Sequence, residues 1–158
     1  MFASYASVLL QSEELRNIFE TESADINLTA LVLTSPVSYM KDSGWFSIYT
    51  KPLWGKGYKN SKTYEYMDFD KILPFAKEMP PTYLITSSGD TLAQKQTVKL
   101  YNLLKNNGVS CELANYGKEY GKSLPHVFSV LQPFEPAGKD AIDKELAFYK
   151  NAMKEKVK

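Results

Sequence analysis

Cysteine and histidine are almost absent from this sequence of 158 residues, where Cys111 and His126 each stand alone. A single cysteine excludes an internal disulfide, and one cysteine with one histidine leaves too few soft ligands for a typical zinc site. Cys111 reads as a small core residue, and no metal or other cofactor is expected. Charge of one sign is missing too: 19 Lys and Arg against 18 Asp and Glu leave a net charge of +1. Such a chain has no long-range field to recruit phosphate backbones or anionic lipid, so nucleic acid is not an expected partner. No apolar run approaches the ~18 residues of a spanning helix, and residues 1–10 lack a basic signal-peptide start. No membrane span is expected, and the chain reads as soluble and cytoplasmic. Also missing is any Gly-x-Ser-x-Gly string.

What is present is the composition of an ordinary folded chain, 44% hydrophobic and 23% charged, enough to bury one core in a single domain spanning residues 1–158. Phe2, Tyr5, Ala6, Leu9 and Leu10 recur at the spacing of an apolar helical stripe. Thr29 to Ser35, closed by Pro36, is a short apolar run without alternation, as in strands covered on both faces of a parallel sheet. Pro80-Pro81 introduces a second such strand, Thr82 to Ser87. From Thr91 to Asn107 the pattern is helical, with Ala93, Thr97, Leu100, Tyr101 and Leu104 on one face and Asn106-Asn107-Gly108 as a stop. Val109 to Tyr116 is a third strand. After Pro136, the residues Ile142, Leu146, Tyr149 and Met153 predict an amphipathic C-terminal helix. This rhythm is that of an α/β fold with about three parallel strands and right-handed crossovers.

Residues 37–79 break the rhythm, because a plain crossover rarely needs so long a segment. They hold both tryptophans and many of the tyrosines and phenylalanines: Tyr39, Trp45, Phe46, Tyr49, Trp54, Tyr58, Tyr64, Tyr66, Phe69 and Phe75. Long insertions in α/β proteins often serve as lids or pocket walls. Two readings stand side by side here, an apolar substrate pocket and aromatics that pack the insertion's own small core.

Three polar features are candidates for chemistry. Gly117-Lys-Glu-Tyr-Gly121-Lys122-Ser123 comes close to a phosphate loop. It has three residues between its glycines where four are needed, and Leu124-Pro125 interrupts any following helix, so it reads as a polar loop. Asp90 follows the strand Thr82 to Ser87 at its carboxyl end, where open α/β sheets place functional groups. Its Ser-Gly-Asp setting is equally that of a turn or of a cap for the next helix. His126 follows the third strand, again at the carboxyl side. A carboxylate bonded to imidazole Nδ1 fixes the tautomer and stabilises the imidazolium formed when Nε2 takes a proton. A loop histidine bonded to backbone is the alternative.

From Met79 onward the residues resemble the C-terminal part of the α/β-hydrolase superfamily, in its acetyl-esterase and hormone-sensitive-lipase-like branch. The resemblance is carried by Met79-Pro-Pro-Thr-Tyr-Leu-Ile-Thr-Ser-Ser-Gly-Asp90, Leu103-Leu-Lys-Asn-Asn-Gly-Val109, Cys111-Glu-Leu-Ala-Asn-Tyr116 and Pro125-His-Val-Phe128. It implies that Asp90 is the triad acid and His126 the triad base. Upstream, Leu31-Val-Leu-Thr-Ser-Pro36 resembles the family's sixth strand, and residues 37–79 occupy the slot of its substrate-covering insertion. Met1-Phe-Ala-Ser-Tyr-Ala6 is similar to the helix that follows the nucleophile elbow. The elbow serine and the His-Gly-Gly-Gly oxyanion segment of that family have no counterpart here, and neither Ser4 nor Ser7 has flanking glycines.

Three expectations follow from the resemblance and its gap. The first is the C-terminal portion of a carboxylic-ester hydrolase, inactive alone, whose small acyl-ester substrate is turned over only when a nucleophile-bearing half completes it. The second is a non-catalytic homo-oligomer that associates through an exposed strand edge at 29–35. The third is one half of a split esterase.

Overall fold

The computed structural model describes residues 2–41, 55–121 and 123–156. They form two compact units: residues 27–36 with 80–158, and residues 1–26 with 37–79. Trp45, Phe46, Tyr49, Trp54 and Lys122 lie outside the described residues.

The first of these units is built on a parallel sheet in the order β1 (Leu31–Thr34), β2 (Thr82–Ser87), β3 (Cys111–Tyr116). Its register aligns Leu31 with Thr82 and Thr82 with Cys111. Because side chains alternate across a strand, Val32, Tyr83, Ile85, Ala114 and Tyr116 share one face. The opposite face carries Leu31, Leu33, Leu84 and Leu113. Every residue of β2 is buried, which explains the unbroken apolar run that marked this strand in the sequence.

Between β2 and β3 runs α4 (Gln94–Asn106), whose Thr97, Leu100 and Leu104 are buried. Its end is a Schellman motif. The Val109 N–H donates to the Leu104 carbonyl at 3.1 Å and the Gly108 N–H to the Lys105 carbonyl at 3.1 Å, with Gly108 at φ +75°. That conformation costs glycine nothing and satisfies the orphan carbonyls of the last turn.

The other face of the sheet is closed by the short α5 (Phe128–Leu131) and the long α6 (Pro136–Lys156). Tyr83, Ile85, Tyr116, Leu124, Phe128, Ala137 and Ala141 form one buried cluster there. The Tyr116 and Phe128 rings meet edge-on at 5.0 Å, and the Tyr83 ring stacks on Phe148 at 5.2 Å. The seam of α6 differs from the stripe expected from its large apolar residues. Leu146 and Met153 are about half exposed, at 49% and 54%, whereas Ala137, Ala141 and Ala152 are buried. Alanines let the helix axis approach the sheet, and Phe148 fills the remaining gap. Gly138 extends this close packing, since a Cβ there would lie 2.0 Å from the Gln132 carbonyl oxygen.

The other unit holds α1 (Phe2–Leu9), α2 (Glu13–Phe19) and α3 (Phe69–Ile72), with short 3-10 turns at Tyr58–Asn60, Tyr64–Met67 and Leu73–Phe75. Helix α2 starts at a Ser12 cap whose hydroxyl accepts from the Leu15 N–H at 3.1 Å, with Glu13 and Glu14 favoured in its first turn. Arg16 reaches back to the carbonyls of Leu9 and Leu10 at 2.9 and 3.2 Å, satisfying groups that the end of α1 leaves open. The aromatics of this unit pack against each other. Tyr5 meets Phe69 at 5.7 Å, Phe19 meets Tyr66 at 6.2 Å, and Tyr66 meets Phe75 at 5.8 Å. Among the described residues, no helix is long and apolar enough to cross a membrane.

Ile85 has no exposed surface and lies on the central strand, so truncation leaves a cavity that the sheet cannot collapse. Ile85→Ala is expected to cost about 2–5 kcal/mol, read as a lowered midpoint in urea unfolding. A change below about 0.5 kcal/mol, the usual range for surface substitutions, would contradict this core assignment.

Candidate active site

Two loops leave the carboxyl ends of β2 and β3, and the backbone ladder fixes where they do so. The Ser88 N–H still donates to the Tyr116 carbonyl at 2.8 Å, so the chain turns only at Gly89-Asp90. The Asp90 N–H closes that turn on the Ser87 carbonyl at 3.1 Å. Its carboxylate Oδ1 then accepts the Leu92 and Ala93 N–H groups at 3.1 and 2.9 Å.

The capping role weighed from the sequence and the histidine partnership coexist. His126 Nδ1 lies 3.0 Å from Asp90 Oδ2 and 3.1 Å from Oδ1. The Asp90 side chain is fully buried, while that of His126 is 32% exposed.

The histidine loop is pinned to the sheet at four points. The Ser87 hydroxyl donates to the Leu124 carbonyl at 2.7 Å. Leu124 and Phe128 on either side of His126 are buried in the core cluster. The Val127 N–H donates to the Ser35 hydroxyl at 3.2 Å. Finally, Gly89 lets the loop come close: a Cβ there would stand 2.1 Å from Ser123 Oγ and 2.5 Å from the Leu124 carbonyl oxygen. No side chain fits at 89 without displacing the loop.

The electrostatics follow from these contacts. Burial pushes the Asp90 carboxyl upward, but the Ala93 N–H, the Ser35 hydroxyl and the His126 ring outweigh it and hold the group below the ordinary aspartate value. An ionised carboxylate only accepts hydrogen bonds, so Nδ1 of His126 must donate. In the neutral ring Nε2 is then the lone-pair nitrogen, and it has no hydrogen bond to any described residue. The arrangement can therefore take a proton at Nε2 and stabilise the cation that results.

Asp90 and His126, singled out in the sequence, are brought together. Ser35, Ser87, Gly89 and Leu124 were not singled out. The only local signals for them are Gly89 beside Asp90 and Ser35 before Pro36. Ser4 and Ser7 are buried, and the Ser7 hydroxyl donates to the Ser4 carbonyl at 2.7 Å. In the glycine-containing loop after β3, the Gly117 N–H is taken by Glu119 at 2.8 Å and the Gly121 N–H by the Lys118 carbonyl at 2.9 Å. Those donors are turned onto the loop itself. Among the described residues, no group of three or more His, Cys, Asp or Glu side chains is placed to hold a metal ion.

The same architecture occurs in solved esterases. Esterase B from Lactobacillus Rhamnosis aligns over 98% of this chain and 50% of its own, with a TM-score of 0.84 and 22% identity. A fungal esterase from Rhizomucor miehei aligns over 94% of this chain and 48% of its own, with a TM-score of 0.55 and 18% identity. An esterase of the bacterial hormone-sensitive lipase family aligns over 96% and 48%, at 0.52 and 18%. The chain thus has part of an α/β-hydrolase fold, and it spans about half the length of these proteins. No family model matches the sequence, nor does any curated protein.

A depressed folded-state value means that Asp90 stabilises the fold fully above the unfolded aspartate value of 3.8 and ceases to do so as pH falls through its lower folded value. Urea unfolding across the acid range should show wild-type stability falling more steeply than that of Asp90→Asn as pH drops from about 3.8 to the lower folded value. Parallel curves would contradict the hydrogen-bonded, ionised Asp90 described above.

Proposed function

We propose that this chain supplies the acid and base of a serine-type carboxylic-ester hydrolase, with Asp90 as triad acid and His126 as triad base. The observation that carries the reading is the bond from His126 Nδ1 to a buried, ionised Asp90, at the carboxyl ends of adjacent strands in a fold shared with esterases. In that role Nε2 removes the proton of a serine hydroxyl as it attacks the ester carbonyl. The imidazolium, stabilised by Asp90, returns the proton to the departing alcohol. A water molecule activated in the same way then releases the acid.

The serine itself is proposed to come from outside these 158 residues, because the sequence has no Gly-x-Ser-x-Gly and the hydroxyls of Ser4 and Ser7 are buried within α1. The oxyanion donors are proposed to come from the same serine-bearing partner. Loss of a triad serine costs about 10⁶ in kcat in a studied protease, and an isolated base offers ~10²–10⁴ at best. The chain alone is therefore proposed to be inactive. Short acyl esters are the proposed substrate class, in keeping with the tributyrin phosphonate that inhibits the Lactobacillus Rhamnosis enzyme.

The position of β1 at the sheet edge supports the second reading, self-association through residues 29–35. One outward group of that edge is already engaged, since the Val32 N–H donates to the Tyr149 hydroxyl of α6. Pairing there requires this bond to open, which places the reading second.

Short-chain ester hydrolysis tests the proposal. The chain alone should show no turnover above background, and turnover should appear on joining or mixing it with a serine-bearing N-terminal half. His126→Ala should then lower kcat by about 10⁶ and Asp90→Asn by about 10⁴. Activity of the joined enzyme that survives His126→Ala would overturn the assignment. Light scattering of the isolated chain separates the second reading, which requires a stable oligomer.

A further inference from the structure

We infer that Ser35 is a positioning residue of the Asp90–His126 pair, its single hydroxyl tying the carboxylate to the backbone that follows the histidine. This inference rests on the proposed acid–base role of the pair. Ser35 lies one residue past β1, where its N–H extends the ladder to the Ile85 carbonyl at 2.7 Å, and it is buried at 4% exposure. Its hydroxyl hydrogen-bonds the Asp90 carboxylate and accepts the Val127 N–H at 3.2 Å. The roles are forced, because an ionised carboxylate has no proton to give and a backbone N–H cannot accept. One proton and one lone pair of the same oxygen thus brace Asp90 and the His126 loop together.

The backbone conformation argues that the hydroxyl is why a serine stands here. Ser35 has φ 46° and Val127 has φ 49°, the left-handed region that disfavours any side chain, and a β-branched one above all. A residue before proline, as Ser35 is before Pro36, is further pressed toward extended geometry. Glycine would relieve Ser35 of this strain at no steric cost. Glycine has no hydroxyl, however, and would leave the Val127 N–H beside His126 without its acceptor. Two strained residues joined through one buried hydroxyl form an arrangement held by its surroundings in order to orient the group between them.

Among the described residues the titratable group facing Asp90 is His126, and its remaining partners, the Ser35 hydroxyl and the Leu92 and Ala93 N–H groups, do not titrate in the acid range. Carboxyl carbon NMR of the full chain can therefore follow Asp90 through acid titration in wild type, Ser35→Ala and Ser35→Gly, alongside melting temperatures. Both variants should titrate at higher pH than wild type and by similar amounts, because both lose the same donor. Their stabilities should differ, with Ser35→Gly melting above Ser35→Ala, since only glycine relieves the strain. An Asp90 midpoint unmoved in both variants, or one that tracks the melting temperature, would overturn the inference. Failure of the ester-hydrolysis assay would instead remove the catalytic reading and leave these titrations standing.

Discussion

The close approach of the Ser123 side chain and the Leu124 backbone to Gly89 is the constraint on which the site depends. It places the histidine loop directly against the turn that carries Asp90, where even a methyl group would overlap Ser123 and Leu124. Once that contact is made, the bond from Ser87 to the Leu124 carbonyl fixes the loop's height above the sheet. The burial of Leu124 and Phe128 fixes its direction. The two His126 contacts of about 3 Å to the Asp90 carboxylate then follow from local geometry. Every group in this chain of causes belongs to the unit built from residues 27–36 and 80–158, so the pair is assembled within one packed body.

The fold delivers these groups through ordinary sheet physics. In a parallel sheet all strands end on the same side, and adjacent strand ends bring their following loops together. The β2–β3 register aligns Ser87 with Tyr116, so Asp90 and the loop toward His126 start from neighbouring points. Asp90 spends one oxygen on the N–H groups of Leu92 and Ala93 and still faces the imidazole. The turn-forming role of Asp90 and the role proposed for it as triad acid make compatible demands, because both are met by an ionised carboxylate with a fixed orientation.

The sequence was most legible where local chemistry and tertiary role coincide. Thr82 to Ser87 was recognisable as a buried strand with its observed limits, and Asn106-Asn107-Gly108 as a helix stop, because each pattern has one structural solution. Asp90 and His126 stood out through their place after strands. Helix α2 was missed because its 7 residues are too short a stretch for the spacing of Leu15, Ile18 and Phe19 to stand out, although Ser12 followed by Glu13 and Glu14 is a start signal. The α6 seam was misplaced because alanines rather than Leu146 and Met153 lie against the sheet. Ser35 could not be found from sequence, since its partners are 55 and 92 positions away and its left-handed backbone contradicts the preference of a residue before proline. The aromatics of 37–79 that can be placed pack with one another and with α1 and α2, which favours the core reading of that segment for those residues.

Asp90, by accepting from Nδ1, holds His126 in the tautomer whose Nε2 can accept a proton. Because His126 is the only histidine, long-range proton–nitrogen NMR of the chain above neutral pH reports its tautomer without ambiguity. The account predicts a proton on Nδ1, a bare Nε2, and loss of this preference in Asp90→Asn. A proton resident on Nε2, or a tautomer balance indifferent to Asp90→Asn, would contradict it.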